Sequence, residues 1–189
     1  MKVGILALQG DFEAHAGVLE RLGIEWSYVK RADDLSAIDA LIIPGGESTT
    51  FLKFLEEKNF SQALRRLPEE GKPIFGTCAG AILLAKAVTN PPQPSLGLVD
   101  VSLERNAYGR QVWSGVRRGH CRLTDAPMEM VFIRAPVIRQ VGPAAQVLGE
   151  CEGQPVCVEQ GRCLISTFHP ELTTDTTLHE HFLELAGQR

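Results

Sequence analysis

The sequence predicts an α/β fold: a three-layer, flavodoxin-like sandwich with a mostly parallel central sheet and antiparallel additions in the second half. Two observations predict it. Up to about residue 88, short apolar runs alternate with helical patterns, which is typical of parallel βαβ units with helices on both faces. After a proline-rich break at residues 90–94, the chain is mostly strand-like with glycine turns, which is typical of antiparallel pairing.

Length and composition predict one domain over residues 1–189. The 189 residues, 44% of them hydrophobic, are enough to bury one full core. The formal net charge is −4 and no basic patch stands out, which argues against nucleic acid and against a membrane surface as partners. The apolar start is too short for a signal peptide and no later run reaches membrane-span length. We therefore expect a cytoplasmic protein.

The elements of the first half follow from the alternation of the two patterns. Apolar runs predict strands at residues 3–8, 24–29, 40–43 and 72–75. Apolar side chains at helical spacing, or runs of good helix formers, predict helices at residues 11–22, 49–58, 60–67 and 81–87. Gly23 is a suitable C-cap for the first helix, and Ser48 is a suitable N-cap for the second.

In the second half, strand-like segments separated by turn residues predict antiparallel additions to the sheet. These strands are predicted at residues 99–103, 111–116, 130–134, 146–151, 156–159 and 163–168. The last two are joined by Gln160 and Gly161, which predicts a hairpin. A final helix is predicted at residues 176–185.

Residues 76–80, Gly-Thr-Cys-Ala-Gly, have the form of a nucleophile elbow with a cysteine at its centre. They stand between a predicted strand and a predicted helix, which is the context that such an elbow requires. Both glycines must be small because the turn is tight, and a thiol at a helix start gains thiolate character from the helix dipole. Cys78 is thus the candidate nucleophile; the alternative is a buried structural cysteine in a glycine-rich turn.

A cysteine nucleophile needs a base, and His169 is the best candidate. Residues i and i+2 of an extended segment project to the same side, so Glu171 can orient His169, and Pro170 keeps the backbone extended. A Cys-His-Glu triad is therefore predicted; alternatively, His169 is a strand-end histidine beside a turn proline. Structural or solvated roles are expected for the other histidines: His15 in the first helix, His120 in a polar loop, and His179 and His181 in the last helix.

The turn at residues 44–48, Pro-Gly-Gly-Glu-Ser, is a candidate oxyanion hole. A Gly-Gly turn at the end of a neighbouring parallel strand can present the N–H of Gly46 toward the nucleophile, joined by the N–H of Ala79. Arg105 and Arg134 lie in polar clusters among apolar strands and could hold a carboxylate. An ordinary strand-to-helix turn and solvated loops are the alternatives.

Four further cysteines carry no predicted chemistry: Cys121, Cys151, Cys157 and Cys163. With Cys78 their number is odd, no CxxC spacing occurs, and no histidine stands at ligand spacing beside them. We therefore expect neither a disulfide nor a bound metal.

Six short motifs, taken together, resemble those of a known family. They are Leu-Gln-Gly at 8–10, Pro-Gly-Gly-Glu-Ser-Thr-Thr at 44–50, the elbow at 76–80, Arg-Asn-Ala-Tyr-Gly-Arg-Gln at 105–111, Phe-Ile-Arg-Ala-Pro at 132–136 and His-Pro-Glu-Leu at 169–172. In this order the chain resembles the glutaminase subunits of pyridoxal 5'-phosphate synthase, which are class I glutamine amidotransferases. The resemblance covers nearly the whole chain, so that residues 1–189 would be a single glutamine amidotransferase domain.

The resemblance implies hydrolysis of L-glutamine to glutamate and ammonia, with the ammonia passing to a barrel-shaped synthase subunit in a large hetero-oligomer. The chain itself would bind no cofactor. The implied nucleophile is Cys78, with His169 and Glu171 as its partners. Glutamine would be held around Gly46, Glu47, Ser48, Arg105, Ile133 and Arg134. Trp113 and the four further cysteines have no counterpart role in the family.

Two other readings of the sequence stay open. The chain could be the glutaminase subunit of another pathway, such as imidazole glycerol phosphate or aminobenzoate synthesis, although such a subunit would lack the motifs at 44–50, 105–111 and 132–136. It could also be a non-catalytic, chaperone-like protein with a redox-sensitive elbow cysteine, which should lack an intact His-Pro-Glu.

Overall fold

A computed structural model describes residues 1–57, 60–107 and 114–187. In chain order the first half contains β1 (Lys2–Leu6), α1 (Phe12–Arg21), β2 (Glu25–Val29), a 3₁₀ helix (Ala32–Ala37), β3 (Ala40–Ile43), α2 (Ser48–Glu57), α3 (Phe60–Arg66), β4 (Ile74–Thr77), α4 (Ala79–Leu84) and β5 (Ala85–Thr89). The second half contains β6 (Val99–Glu104), β7 (Gly115–Cys121), β8 (Met128–Phe132), β9 (Val137–Val141), β10 (Gln146–Cys151), β11 (Gln154–Gln160), β12 (Cys163–Ser166), a 3₁₀ helix (Pro170–Leu172) and α5 (Thr177–Gly187).

Within the described residues, nine strands form the central sheet in the order β2-β1-β3-β4-β12-β11-β10-β7-β8. The first five strands pair in parallel, with the order of a flavodoxin-like sheet. The other four join by antiparallel pairs. The predicted fold, a mostly parallel sheet with antiparallel additions, is confirmed.

The two faces of the sheet bury different helices, which gives three layers. Along β3, Ala40 and Ile42 point to the core under α1 and α5, whereas Leu41 and Ile43 point to the core under α2, α3 and α4. All four side chains are fully buried. Such a strand reads as a continuous apolar run because neither of its faces meets water.

A second, three-stranded sheet in the described residues, β5-β6-β9, corrects two predictions. The helix after the elbow ends at Leu84 rather than residue 87, since Ala85 leaves the helical region (φ −59°, ψ 153°) and residues 85–89 pair in parallel with β6. The helix propensity of this segment is overridden by tertiary pairing. The predicted strand at 99–103 therefore belongs to this second sheet and is not an addition to the central one.

The other strand predictions differ in detail. The segment predicted at 163–168 is β12, which pairs with β11 in the expected hairpin but also runs parallel to β4, so it completes the parallel part of the sheet. β9 was not predicted. Residues 111–113 of the strand predicted at 111–116, Trp113 among them, lie outside the described part of the chain. Lys58, the last residue of the predicted second helix, also lies outside it.

The N-cap predicted at Ser48 is wrong. Ser48 is the first helical residue of α2, and its hydroxyl donates to Gln93 Oε1 at 3.0 Å. The carboxylate of Glu47 instead accepts hydrogen bonds from the backbone N–H groups of Thr49 (3.2 Å) and Thr50 (2.8 Å), which is the capping arrangement.

No helix among the described residues has the length and apolarity that a membrane crossing requires.

Candidate active site

Cys78 stands at the turn between β4 and α4 with a left-handed backbone, φ 48° and ψ −100°. Its own N–H donates to the carbonyl of Ser166 in β12 at 2.8 Å, and its carbonyl accepts from Ile82 in α4 at 3.2 Å. A non-glycine residue keeps such a conformation only where its surroundings enforce it, and strain of this kind concentrates at functional sites. The thiol is 7% exposed, at the carboxyl ends of the parallel strands.

The two elbow glycines are required by close approach. A Cβ on Gly80 would lie 2.2 Å from the carbonyl oxygen of Ile43, and one on Gly76 would lie 2.7 Å from the backbone of Gly80. Both distances are shorter than real Cβ atoms tolerate. The elbow therefore needs glycine at both positions, as the motif predicts.

The imidazole of His169 connects the thiol with Glu171. Its Nδ1 lies 2.7 Å from Glu171 Oε1, and the ring lines the same cavity as Cys78. Burial lowers the pKa of His169, but the neighbouring Cys78 and Glu171 outweigh burial and raise the pKa to about 10. Such a ring holds its proton readily, as a base that receives the proton of a thiol must.

Glu171 is 4% exposed, behind His169. Burial raises the pKa of its carboxyl group, but His15 and His169 outweigh burial and leave the pKa below its usual value. The carboxylate therefore stays ionised and fixes the orientation of the His169 ring.

A cavity of about 260 Å³ opens onto Cys78 and His169. Of the residues predicted to bind substrate or the oxyanion, all but Ala79 line it: Gly46, Glu47, Ser48, Arg105, Ile133 and Arg134. Asp11, Gly45, Ile82, Asn106 and Pro136 complete the lining. The structure thus brings together motifs from five separate parts of the chain.

On one side of this cavity, Glu47 and Arg105 form a mixed-charge pair. Arg105 Nη2 lies 3.4 Å from Glu47 Oε1 and 3.2 Å from the hydroxyl of Thr49. The pKa of Glu47 is lowered, since the hydrogen bonds from Thr50 and Thr49 outweigh its partial burial. A zwitterion with a carboxylate and an ammonium group suits such a pair of opposite charges.

The segment after β8 also approaches the thiol. The carbonyl oxygen of Ile133 is 4.0 Å from Cys78 Sγ, and the Ile133 side chain is 43% exposed. Arg134 has a positive φ of 46°, and its N–H donates to Ser114 Oγ at 3.1 Å. The predicted cluster at 105–111 is described only as far as residue 107.

The Gly45-Gly46 turn packs against the loop after β1. The N–H of Asp11 donates to the carbonyl of Gly45 at 3.3 Å, and a Cβ on Gly10 would lie 1.9 Å from that carbonyl oxygen. Gly46 has φ +151°, and the amide of Gln9 lies against it. This contact gives a structural reason for the Leu-Gln-Gly motif at residues 8–10.

Two of the four remaining histidines are buried, which agrees with a structural role, one of the two roles expected for them. His15 and His179 are fully buried, and His15 lies 3.5 Å from Glu171, so it contacts the triad. No local motif signals this proximity. His120 lies in β7 rather than in a loop. Across residues 1–57, 60–107 and 114–187, no cluster of three or more His, Cys, Asp or Glu side chains is arranged to hold a metal ion.

Comparison with known proteins decides the family. The model of the SNO glutamine amidotransferase family matches residues 5–187. The chain belongs to the SNO glutamine amidotransferase family. Among its relatives is "Pyridoxal 5'-phosphate synthase subunit PdxT" of Koribacter versatilis, 54% identical over 98% of this chain and 95% of the relative. The protein of the same name from Thermus thermophilus is 51% identical over 98% of this chain and 97% of the relative.

Solved structures agree. A crystal structure of a glutamine amidotransferase superposes with a TM-score of 0.92 at 49% identity and covers 98% of both chains. The family resemblance predicted from the motifs is confirmed, and so is the prediction that this family member is a glutamine amidotransferase enzyme.

Proposed function

We propose that Cys78, His169 and Glu171 form the catalytic triad with which this SNO-family protein hydrolyses L-glutamine to L-glutamate and ammonia. The observation that carries the proposal is that the strained elbow cysteine and His169 line one cavity, with His169 hydrogen-bonded to a buried carboxylate. Nucleophile, base and orienting group in this sequence are the parts that acyl transfer by cysteine needs.

The reaction begins when Cys78 Sγ, with its proton on His169, attacks the side-chain amide carbon of glutamine as a thiolate. The oxyanion that forms would accept hydrogen bonds from the N–H groups of Gly46 and Ala79. His169 then gives its proton to the departing nitrogen, ammonia leaves, and a glutamyl thioester remains on Cys78. Water loses a proton to His169 and attacks the thioester, and Sγ leaves as a thiolate beside the protonated His169. The new carboxyl group loses its proton to solvent, and glutamate is released.

The cavity lining supports an assignment of substrate contacts. Arg105 and Arg134 can hold the α-carboxylate of glutamine, and Glu47 can accept from its ammonium group. Ser48, Gly46 and Ile133 line the same cavity, and we assign to them the contacts with the rest of the substrate. We propose these roles on the basis of charge and position in the cavity.

The names of the relatives support a function in pyridoxal 5'-phosphate synthase, as the sequence predicts. The chain acts on glutamine together with a synthase subunit. We propose that this partner is barrel-shaped, that the two form a large hetero-oligomer, and that residues 1–189 are a single domain, since both cores share one sheet. We place the reaction in the cytoplasm, where thiols such as Cys78 are kept reduced.

The test measures ammonia release from glutamine by the full chain together with its synthase partner. Cys78→Ala and His169→Asn are each expected to lower kcat about 10⁴-fold or more, because either change removes a reacting group. Glu171→Gln is expected to cost less, since Glu171 orients His169 and does not react. His181→Asn, which changes a histidine on α5 that pairs with Glu159 outside the site, is the matched control and should keep full activity.

Substantial residual ammonia release by Cys78→Ala or His169→Asn would refute the triad. A Glu171→Gln variant as inactive as Cys78→Ala would show that the role given to Glu171 is wrong.

A further inference from the structure

His15, on helix α1, has a fully buried side chain that contacts both Glu171 and the residue before Cys78. Its Nε2 lies 3.2 Å from the hydroxyl of Thr77, the residue before the nucleophile, and 3.5 Å from Glu171 Oε1. Its Nδ1 lies 3.1 Å from Nε2 of His179 on α5, which is also fully buried. One imidazole thus contacts the strand that precedes the nucleophile, the carboxylate of Glu171 that orients the base, and the last helix.

We propose that His15 is a positioning residue for the triad: it donates from Nε2 toward Glu171 and Thr77, and His179 fixes its tautomer by donating to its Nδ1. This inference rests on the proposed glutaminase function. His15 does not line the cavity, so it acts through Glu171 and not on glutamine.

The carboxylate determines the direction of the hydrogen bonds. If Nε2 of His15 carried no proton, its lone pair would face the negative charge of Glu171 at 3.5 Å, which is repulsive. With the proton on Nε2, a neutral His15 has a bare Nδ1 that must accept, and Nε2–H of His179 is its donor. His179 Nδ1 has no hydrogen-bond partner among the described residues, in agreement with an unprotonated nitrogen there.

Both imidazoles are neutral in this arrangement. Burial lowers the pKa of His15 and outweighs the charge of Glu171, with His169 and Asp11 as the other groups that act on it. Burial and the neighbouring His15 lower the pKa of His179 to about 3, against the opposing effect of Glu171 and with a small contribution from Arg21. Neutral rings can donate and accept in sequence, whereas two adjacent cations would repel each other.

Glu171 needs the contact because it is an ionised group almost without solvent. Its Oε2 has no hydrogen-bond partner within the described part of the chain, and Oε1 faces both His169 and His15. A buried charge that loses one of its few partners is free to protonate or rotate, and either change misaligns the base. Loss of His15 should therefore impair the chemical step more than substrate binding.

The experiment compares His15→Leu and His15→Gln in the full chain with its synthase partner. His15→Leu is expected to lower kcat by about 10- to 100-fold, the usual cost of a misplaced reacting group, with KM changed less than about twofold. His15→Gln keeps one donor and one acceptor and should return kcat to within a few fold of the unmodified protein. A change confined to KM, or a His15→Gln variant no better than His15→Leu, would overturn the proposal.

A double-mutant cycle decides whether His15 acts through Glu171. In a Glu171→Gln background, His15→Leu is expected to have little further effect on kcat, because the carboxylate that it positions is gone. An equal loss in both backgrounds would mean that His15 contributes only to general packing, which contradicts the inference. The proposed function fails in a different way: the unmodified protein would then release no more ammonia than Cys78→Ala.

His179→Gln provides a second variant, should His15→Leu not fold. The measurement is the rate at which iodoacetamide alkylates Cys78, followed by mass spectrometry of the full chain alone. This rate is expected to fall in both His15→Gln and His179→Gln, but by less than it falls in Glu171→Gln. His181→Gln, on the other face of α5, is the control and should leave the rate unchanged. Loss of alkylation in His181→Gln equal to that in His179→Gln would overturn the assignment to this hydrogen-bonded pair.

Discussion

At the scale of single residues, the backbone of Cys78 is held in its strained turn by its neighbours. The carbonyl of Ile43 lies where a Cβ on Gly80 would be, so α4 can approach β3 only because position 80 has no side chain. This approach positions the turn that carries the thiol. We therefore expect glycine at this site to be needed for catalysis as well as for folding.

We expect Gly80→Ala to abolish ammonia release and to lower the free energy of unfolding by about 1–3 kcal/mol, since the added methyl group must displace backbone. Gly17→Ala is the matched control. Gly17 lies within α1 with open space around it, so alanine there should stabilise the protein by about 1 kcal/mol and leave activity intact. Urea unfolding and a glutaminase assay measure both; full activity in Gly80→Ala would contradict the steric reasoning.

The four further cysteines should be chemically silent in the folded protein. All are buried and free, and burial raises the pKa of Cys163 to about 12 and that of Cys157 well above its usual value. A thiol-reactive dye at neutral pH is expected to label at most Cys78 in the native state and all five cysteines in denaturant. Rapid native labelling in a Cys78→Ala variant would show that one of the four is accessible.

The sequence predicts the residues of the proposed triad because each stands in a short motif whose geometry is local. Cys78 depends on its flanking glycines, and Glu171 stands two positions after His169 in a segment kept extended by proline. His15 could not be assigned in the same way. Its partner His179 is 164 positions away, and nothing in α1 alone indicates that the two rings meet.

At the scale of elements, the start of α2 shows how a local rule can select the wrong neighbour. Ser48 is a preferred N-cap residue type and Glu47 is not, yet the glutamate side chain reaches the first N–H groups and the serine turns toward Gln93. The segment after α4 is a similar case, because its good helix formers become β5 through pairing with β6. In both cases a distant contact outweighs the local preference.

Glu47→Ala is expected to lower the free energy of unfolding by about 1 kcal/mol through loss of the cap, whereas Ser48→Ala should change it by less than half of that amount. Chemical denaturation of the two variants tests this directly. An equal or larger effect of Ser48→Ala would restore Ser48 as the cap.

At the scale of the whole molecule, the buried histidines make stability depend on pH in two opposite ways. His179 has a folded pKa of about 3 and an unfolded pKa near 6.5, so between these values the unfolded chain binds more protons and stability rises with pH. His169 has a folded pKa of about 10, so above about pH 6.5 the folded chain binds more protons and its contribution is lost as pH rises.

We therefore expect the free energy of unfolding to be greatest near neutral pH. Between about pH 5 and pH 6.5, where carboxylates remain ionised, the rise should approach 1.4 kcal/mol per pH unit for each buried neutral histidine. Urea unfolding across this range measures the slope, which should be smaller in His179→Gln than in the unmodified protein. An unchanged slope in that variant would show that His179 is not the titrating group.

The central position of β12 has a consequence for synthesis on the ribosome. Cys78 and β4 emerge long before β12 and His169, which follow β5 to β11 in the chain, yet β12 must lie between β4 and β11. Until then the nascent chain carries the proposed nucleophile without its proposed base and leaves one edge of β4 unpaired, so we expect it to be inactive and open to pairing with other chains. Insertion of one late strand closes that edge and brings the proposed triad together in the same step, so we expect a molecule able to hydrolyse glutamine to be one whose sheet is complete.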